Sequence, residues 1–181
     1  MKEKTFDDKY RLSLPGWGLA TTFHIENPPF KIEKIKLAAV AYYTMGIQQD
    51  YDSKFIRIQI LDKQSRIIWS EYIPWSQFRG EIETDLKGLP KAIWQDISTG
   101  GVIVNDDFTV EITSVGKTYW EGDQAFDYFA VACEKIGNCG NSQTNSFISE
   151  CGKRADPWIT LYDQYGSPTC FNLCIRIEGI N

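Results

Sequence analysis

Histidine is almost missing from this chain: His24 is the only one in 181 residues. A hydrolase of the Ser-His-Asp or Cys-His kind would therefore have to use His24, and a catalytic zinc site, which draws on several imidazoles, is short of ligands. No Gly-rich phosphate loop is present, because Gly16 and Gly18 follow Pro15 and Gly100-Gly101 lead into a strand-like run. Basic charge is also short: 19 Lys and Arg against 24 Asp and Glu leave a net charge of -5. That balance disfavours general affinity for nucleic-acid phosphates, so no nucleic-acid partner is expected. Lys, Asp or Arg interrupts every apolar stretch, and none approaches the roughly 20 residues needed to cross a bilayer. The first residues, Met1-Lys2-Glu3-Lys4-Thr5-Phe6-Asp7-Asp8, contain no apolar segment of the secretory kind. Cysteine is absent from the first 132 residues.

What the sequence does contain is period-two alternation, with hardly any helical periodicity to compete. Ile35, Leu37, Ala39, Ala41 and Tyr43 share one face of a long strand. Ile56, Ile58 and Ile60 share a face of the next; the polar turn Asp62-Lys63-Gln64-Ser65 follows, then Ile67-Ile68-Trp69, a hairpin over about residues 54 to 75. Phe108, Val110 and Ile112 alternate with Asp107, Thr109, Glu111 and Thr113, which predicts one face on a core and the other in water. The run from Phe126 to Cys133 is apolar on both faces. At the end, Leu173, Ile175 and Ile177 oppose Cys174, Arg176 and Glu178. Lys91-Ala92-Ile93-Trp94 is the one run that reads as helical, and His24 falls inside an apparent strand from Ala20 to Ile25. These features predict an all-β fold, a two-sheet antiparallel β-sandwich of jelly-roll or Greek-key type. The chain is expected to be one domain over residues 1–181, with an arm over about 1–9 and a long irregular loop over 134–157.

All five cysteines lie between Cys133 and Cys174. Intervals of five, eleven, eighteen and three residues separate Cys133, Cys139, Cys151, Cys170 and Cys174. Structural zinc prefers C-x2-4-C knuckles, and redox chemistry prefers C-x-x-C, which is absent. The expectation is two disulfides that staple the long loop to the last strand, with one thiol left over and the pairing open. Each such bridge contributes about 3 to 4 kcal/mol through chain entropy. Buried, inert thiols and a metal or redox role are the competing readings. Disulfides imply an oxidising compartment, so the expected location is extracellular or the cell surface.

Paired carboxylates are the remaining enzyme-like feature, since a glycosidase needs only two acids at a suitable separation. Asp106-Asp107, Glu81 with Glu83, and Asp7-Asp8 are the candidates, each of which also reads as a polar turn. No cofactor is expected; the nearest to one is calcium, whose oxygen ligands could include Asp106. Six Trp, nine Tyr and ten Phe make up 14% of the chain, more than a core of this size requires. Trp69, Phe108 and Tyr128 read as core. Trp17, Tyr119, Trp120, Tyr162 and Tyr165 sit in Gly- or Asp-rich segments, where a large ring either offers binding surface or folds back over the sandwich ends.

The order of Pro29-Phe30-Lys31-Ile32, the Phe55 to Trp69 hairpin with Ile60-Leu61-Asp62, Asp106-Asp107-Phe108-Thr109-Val110-Glu111-Ile112, and Asn172-Leu173-Cys174-Ile175-Arg176-Ile177 resembles secreted β-sandwich modules. These modules belong to bacterial and archaeal cell-surface proteins and are similar to the jelly-roll carbohydrate-binding modules. The resemblance spans residues 19 to 180, departs at the cysteines and at the insertion from Gly137 to Asp156, and transfers no functional residue. Loop aromatics on a scaffold lacking catalytic groups lead to the expectation of a noncatalytic extracellular module that recognises a surface glycan or a cell-surface protein through Trp17, Tyr119, Trp120, Tyr162 and Tyr165. The alternatives are a self-associating structural subunit of a filament, coat or surface layer, and a carboxylate-dependent glycosidase.

Overall fold

Alternating β-branched and aromatic residues form strands because each strand can bury one row of side chains while its backbone bonds sideways. The structure, a computed structural model, describes residues 11–13, 18–43, 52–79, 92–115, 120–121, 124–125, 127–138, 146–149, 159–160 and 169–181. In chain order the strands are β1 (Arg11–Ser13), β2 (Gly18–Phe23), β3 (Phe30–Tyr43), β4 (Phe55–Leu61), β5 (Ile67–Pro74), β6 (Ile93–Val104) and β7 (Phe108–Val115). They continue as β8 (Trp120–Glu121), β9 (Gln124–Ala125), β10 (Asp127–Asn138), β11 (Ser146–Ser149), β12 (Ile159–Thr160), β13 (Thr169–Leu173) and β14 (Ile175–Ile180). A 3-10 turn, Trp75–Phe78, follows β5. Among the described residues no helix is long and apolar enough to cross a membrane.

Two six-stranded antiparallel sheets pack against each other, as the alternation predicts. The second sheet has the order β12-β11-β2-β7-β4-β5. In the first, β3 pairs with β6 along one edge and with β10 and β14 along the other, while β1 and β13 add to β10. The short strands β8 and β9 pair with each other and, among the described residues, with neither sheet. Ile35, Leu37, Ala39 and Ala41 face Leu19, Ile56, Ile58, Ile60, Val110 and Ile112 in the core between the sheets. Each such isoleucine, fully buried, contributes about 1.5 to 3 kcal/mol. The 3-10 turn closes the core with Phe78, whose ring meets Phe129 edge-on at 5.0 Å, and Trp75, 5.8 Å from the same ring.

The first sheet forks at Cys174. Its N–H donates to the Ala132 carbonyl at 2.8 Å, and its carbonyl accepts from Ala38 N–H at 3.0 Å, so the last strand leaves β10 there and joins β3. Leu173 and Ile175 enter the main core, while Cys174 joins Ala38, Val40, Ala92, Ala130 and Ala132 in a second buried cluster on the other face. Both faces of β10 are therefore buried at Phe129 to Ala132, in keeping with the apolar run on both sides of that strand.

Three expectations need correction. Residues 93 and 94 open β6 instead of a helical turn, and Gly100 and Gly101 lie within that strand. Between the pairs Ile32 with Val102 and Lys34 with Ser98, β6 has three residues, Thr99 to Gly101, where β3 has one, Glu33; the surplus bulges out through positive φ values of 71° at Gly100 and 89° at Gly101. Second, the segment 134–157 is not wholly irregular, since residues 134–138 extend β10 and Ser146–Ser149 pair with β2. Third, the face of β7 predicted to lie in water is buried at Glu111 and Thr113. The N-terminal arm lies outside the described residues.

Candidate functional site

The burial of that face defines the site. On β7 the core takes Phe108, Val110 and Ile112, so Glu111 and Thr113 project from the opposite face of the second sheet; on β4 the core takes Ile56, Ile58 and Ile60, which leaves Arg57 and Gln59 on that same face. Register then sets Arg57 opposite Thr113 and Gln59 opposite Glu111. Directly opposed Cβ atoms are about 4.5 to 5.5 Å apart, so these four side chains make a compact polar block. The flanking strands complete two rows across the sheet. One runs Tyr72, Arg57, Thr113, Gly18, and the other Ser70, Gln59, Glu111, Ala20.

Exposure falls steeply along both rows. Tyr72 on β5 is 56% exposed, whereas Gln59 is 3%, Thr113 5% and Glu111 1% exposed. The outer face of the second sheet is therefore exposed at β5 and buried at β7 and β2, and both rows run on past Gly18 and Ala20 to Ser149 and Phe147 of β11; the polar strip from Tyr72 to Thr113 is the candidate cleft. Gln59 Nε2 donates to Ser70 Oγ at 3.3 Å, but Gln59 Oε1, Thr113 Oγ1 and Arg57 Nε are buried with no hydrogen-bond partner among the described residues. A buried polar group left unsatisfied costs about 1 to 3 kcal/mol, and native proteins hold few of them. Donor, acceptor and hydroxyl thus stand side by side, each closed off from solvent.

At the end of the sandwich beyond β2 and β7, His24 lies just past the strand expected to contain it. Its Nδ1 donates to Asp107 Oδ2 at 2.7 Å, and Ile25 N–H donates to Asp107 Oδ1 at 3.1 Å. The His24 bond, then the Ile25 amide, hold the Asp107 carboxyl below its ordinary range. Asp106 accepts from Lys63 Nζ at 3.2 and 3.3 Å. The two acids line one hollow but take different partners, Asp107 the imidazole of His24 and Asp106 the ammonium of Lys63. No group of three or more His, Cys, Asp or Glu among the described residues could hold a metal ion. Glu81, Glu83, Asp7 and Asp8 lie outside those residues.

Of the five loop aromatics, Trp120 opens β8 opposite Ala125. Trp17, Tyr119, Tyr162 and Tyr165 lie outside the described residues, as do Cys139 and Cys151. Cys133 on β10 stands opposite Leu173, Cys170 belongs to β13, and Cys174 is a buried thiol. Phe108 is core and Trp69 packs against it, as expected. Alternation alone assigns Glu111 and Thr113 to water and singles out neither Arg57 nor Gln59. Their signal in the sequence is the polar row Arg57, Gln59 facing Glu111, Thr113, legible only when β4 and β7 are set side by side. Comparison with family models, with curated proteins and with solved structures gives no match, so the chemistry of the cleft itself carries the functional reading.

Proposed function

We propose that the protein is a noncatalytic recognition module of the cell surface or extracellular space, and that it seats a surface glycan or a segment of a partner protein in the cleft of the second sheet. One observation carries this reading: Arg57 Nε, Gln59 Oε1 and Thr113 Oγ1 are buried, with no partner among the described residues, in a polar strip that is exposed at Tyr72. Local rules of polar satisfaction are broken where function requires it. A ligand hydroxyl or amide that displaces the cover over these atoms supplies the missing partners, and the exposed Tyr72 ring offers an apolar face in the same row. The oxidising compartment is inferred from the clustering of five cysteines in the sequence; the cysteine whose side chain is described, Cys174, is a thiol. The test is binding of the full chain to arrayed glycans and immobilised surface proteins, repeated with Gln59→Leu and Thr113→Val. The reading expects specific binding that both variants abolish; binding unchanged in both would sink it.

A second reading, a subunit of a surface assembly, is favoured by the β5 edge. Among the described residues this strand pairs only with β4, and Ile67, Ile68 and Tyr72 on it are 47%, 40% and 56% exposed. An open apolar edge is a template for another strand. Growth of the scattering mass with protein concentration would favour assembly over a monomeric binder.

A further inference from the structure

A separate hollow of about 280 Å³ opens where β2 passes into β3, away from the cleft. Three phenylalanine rings line it: Phe23, Phe30 and Phe108. Phe108 is buried at its base, and Phe23 stacks on it at 5.3 Å with 17° between the planes, so neither ring can turn aside without breaking the stack. Glu26 supplies the one side-chain carboxylate among the described residues of the wall, and Asn27 adds an amide. Neither Lys nor Arg lines the hollow among those residues. The imidazole of His24, also in the wall, is tied to Asp107. Glu26 itself forms no ion pair among the described residues. A neighbouring hollow of about 230 Å³ differs in this respect: Lys63 and Arg66 line it together with Asp106 and Asp62, and the charges pair off.

We propose that the phenylalanine-lined hollow binds a compact organic cation, of the alkylammonium class. The rings and Glu26 both select for it. Ring faces carry negative potential and attract a cation whose skin is apolar, as in recognition of quaternary ammonium groups. A carboxylate with no cation beside it repels anions and favours positive charge. The polar groups of the wall, His24, Glu26, Asn27 and Asn181, share it with five apolar side chains, Phe23, Ile25, Phe30, Phe108 and Ile177, a mixture that suits a cation with an apolar skin, and a long acyl chain exceeds the volume. This site is independent of the cleft and goes beyond the recognition reading.

The experiment is a titration of the full ¹⁵N-labelled chain with choline and with its uncharged tert-butyl analogue, followed by amide shifts. Choline should move the amides of Phe23, Glu26, Asn27 and Phe30, and the analogue should bind at least about fivefold more weakly, the worth of one cation–π contact with a ring. Glu26→Gln should weaken choline by about two- to fivefold, as expected for an exposed charge pair. Phe30→Leu should weaken it while Phe30→Tyr retains it, which separates loss of the ring from loss of packing. Thr113→Val in the cleft should leave choline binding unchanged. Equal binding of choline and the analogue, tighter binding of acetate than of choline, or no shift at these amides would each overturn the proposal, whatever the outcome at the cleft.

Discussion

Replacing Thr113 by valine should make the protein more stable, which is the opposite of the usual effect of changing a residue only 5% exposed. The side chains have nearly the same shape, so the substitution exchanges one hydroxyl for one methyl without a cavity. Thr113 Oγ1 is buried with no hydrogen-bond partner among the described residues, so folding strips water from it and returns nothing. That desolvation costs about 1 to 3 kcal/mol in protein hosts. The methyl that replaces it adds about 0.8 kcal/mol of apolar burial. Allowing for relaxation around the site, the net gain is about 1 to 2 kcal/mol, or a melting point higher by about 3 to 6 °C for a chain of this length. Urea unfolding followed by tryptophan fluorescence, with the slope unchanged between variants, measures it directly. A loss of about 1 kcal/mol or more would overturn this account, because it would mean that the hydroxyl is bonded in the folded state and that the polar block is a structural network. A gain accompanied by lost binding is the signature of a residue kept polar for a ligand at the expense of stability.

Phe129→Ala should remove about 3 to 5 kcal/mol, because the ring is wholly buried between Trp75 and Phe78 and its neighbours cannot close the space; urea midpoints give the value, and a cost under about 1 kcal/mol would contradict that packing. The Asp107 carboxyl titrates below its unfolded value near 3.9, so its contribution to stability is complete above that value and is lost as pH falls through the lower folded one. Asp107→Asn should therefore lower stability at neutral pH and flatten the acid limb of the stability curve, and parallel curves for the two proteins would exclude the effect. Cys174 should resist alkylation in the native protein and accept one alkyl group in denaturant without reductant, as intact and peptide masses would show; a Cys174 found in a disulfide would contradict its burial as a thiol.

Much of the sandwich is legible in the sequence because alternation is a local property of an extended backbone. Ile35, Leu37, Ala39 and Ala41 are two residues apart, and no choice of neighbour can put them on different faces. The same rule separates Cys174 from Leu173 and Ile175. It is less informative where two strands must be compared. The bulge at Gly100 and Gly101 exists because β6 is longer than the stretch of β3 it follows, and neither strand shows that alone. Lys91 to Trp94 read as helical on propensity, and pairing of Ile93 with Ala39 overrides it.

For the candidate site the division is sharper. Residue order is enough to put Arg57 and Gln59 on one face, to put Glu111 and Thr113 on one face, and to set each face against an isoleucine-rich core. It takes the folded chain to make the two pairs adjacent, to cover their face at β7 while Tyr72 on β5 stays open, and to turn Asp106 and Asp107 to different partners. Side-chain direction follows from the bonds within a strand, whereas register and cover depend on segments far apart in the chain, whose meeting only the folded packing sets.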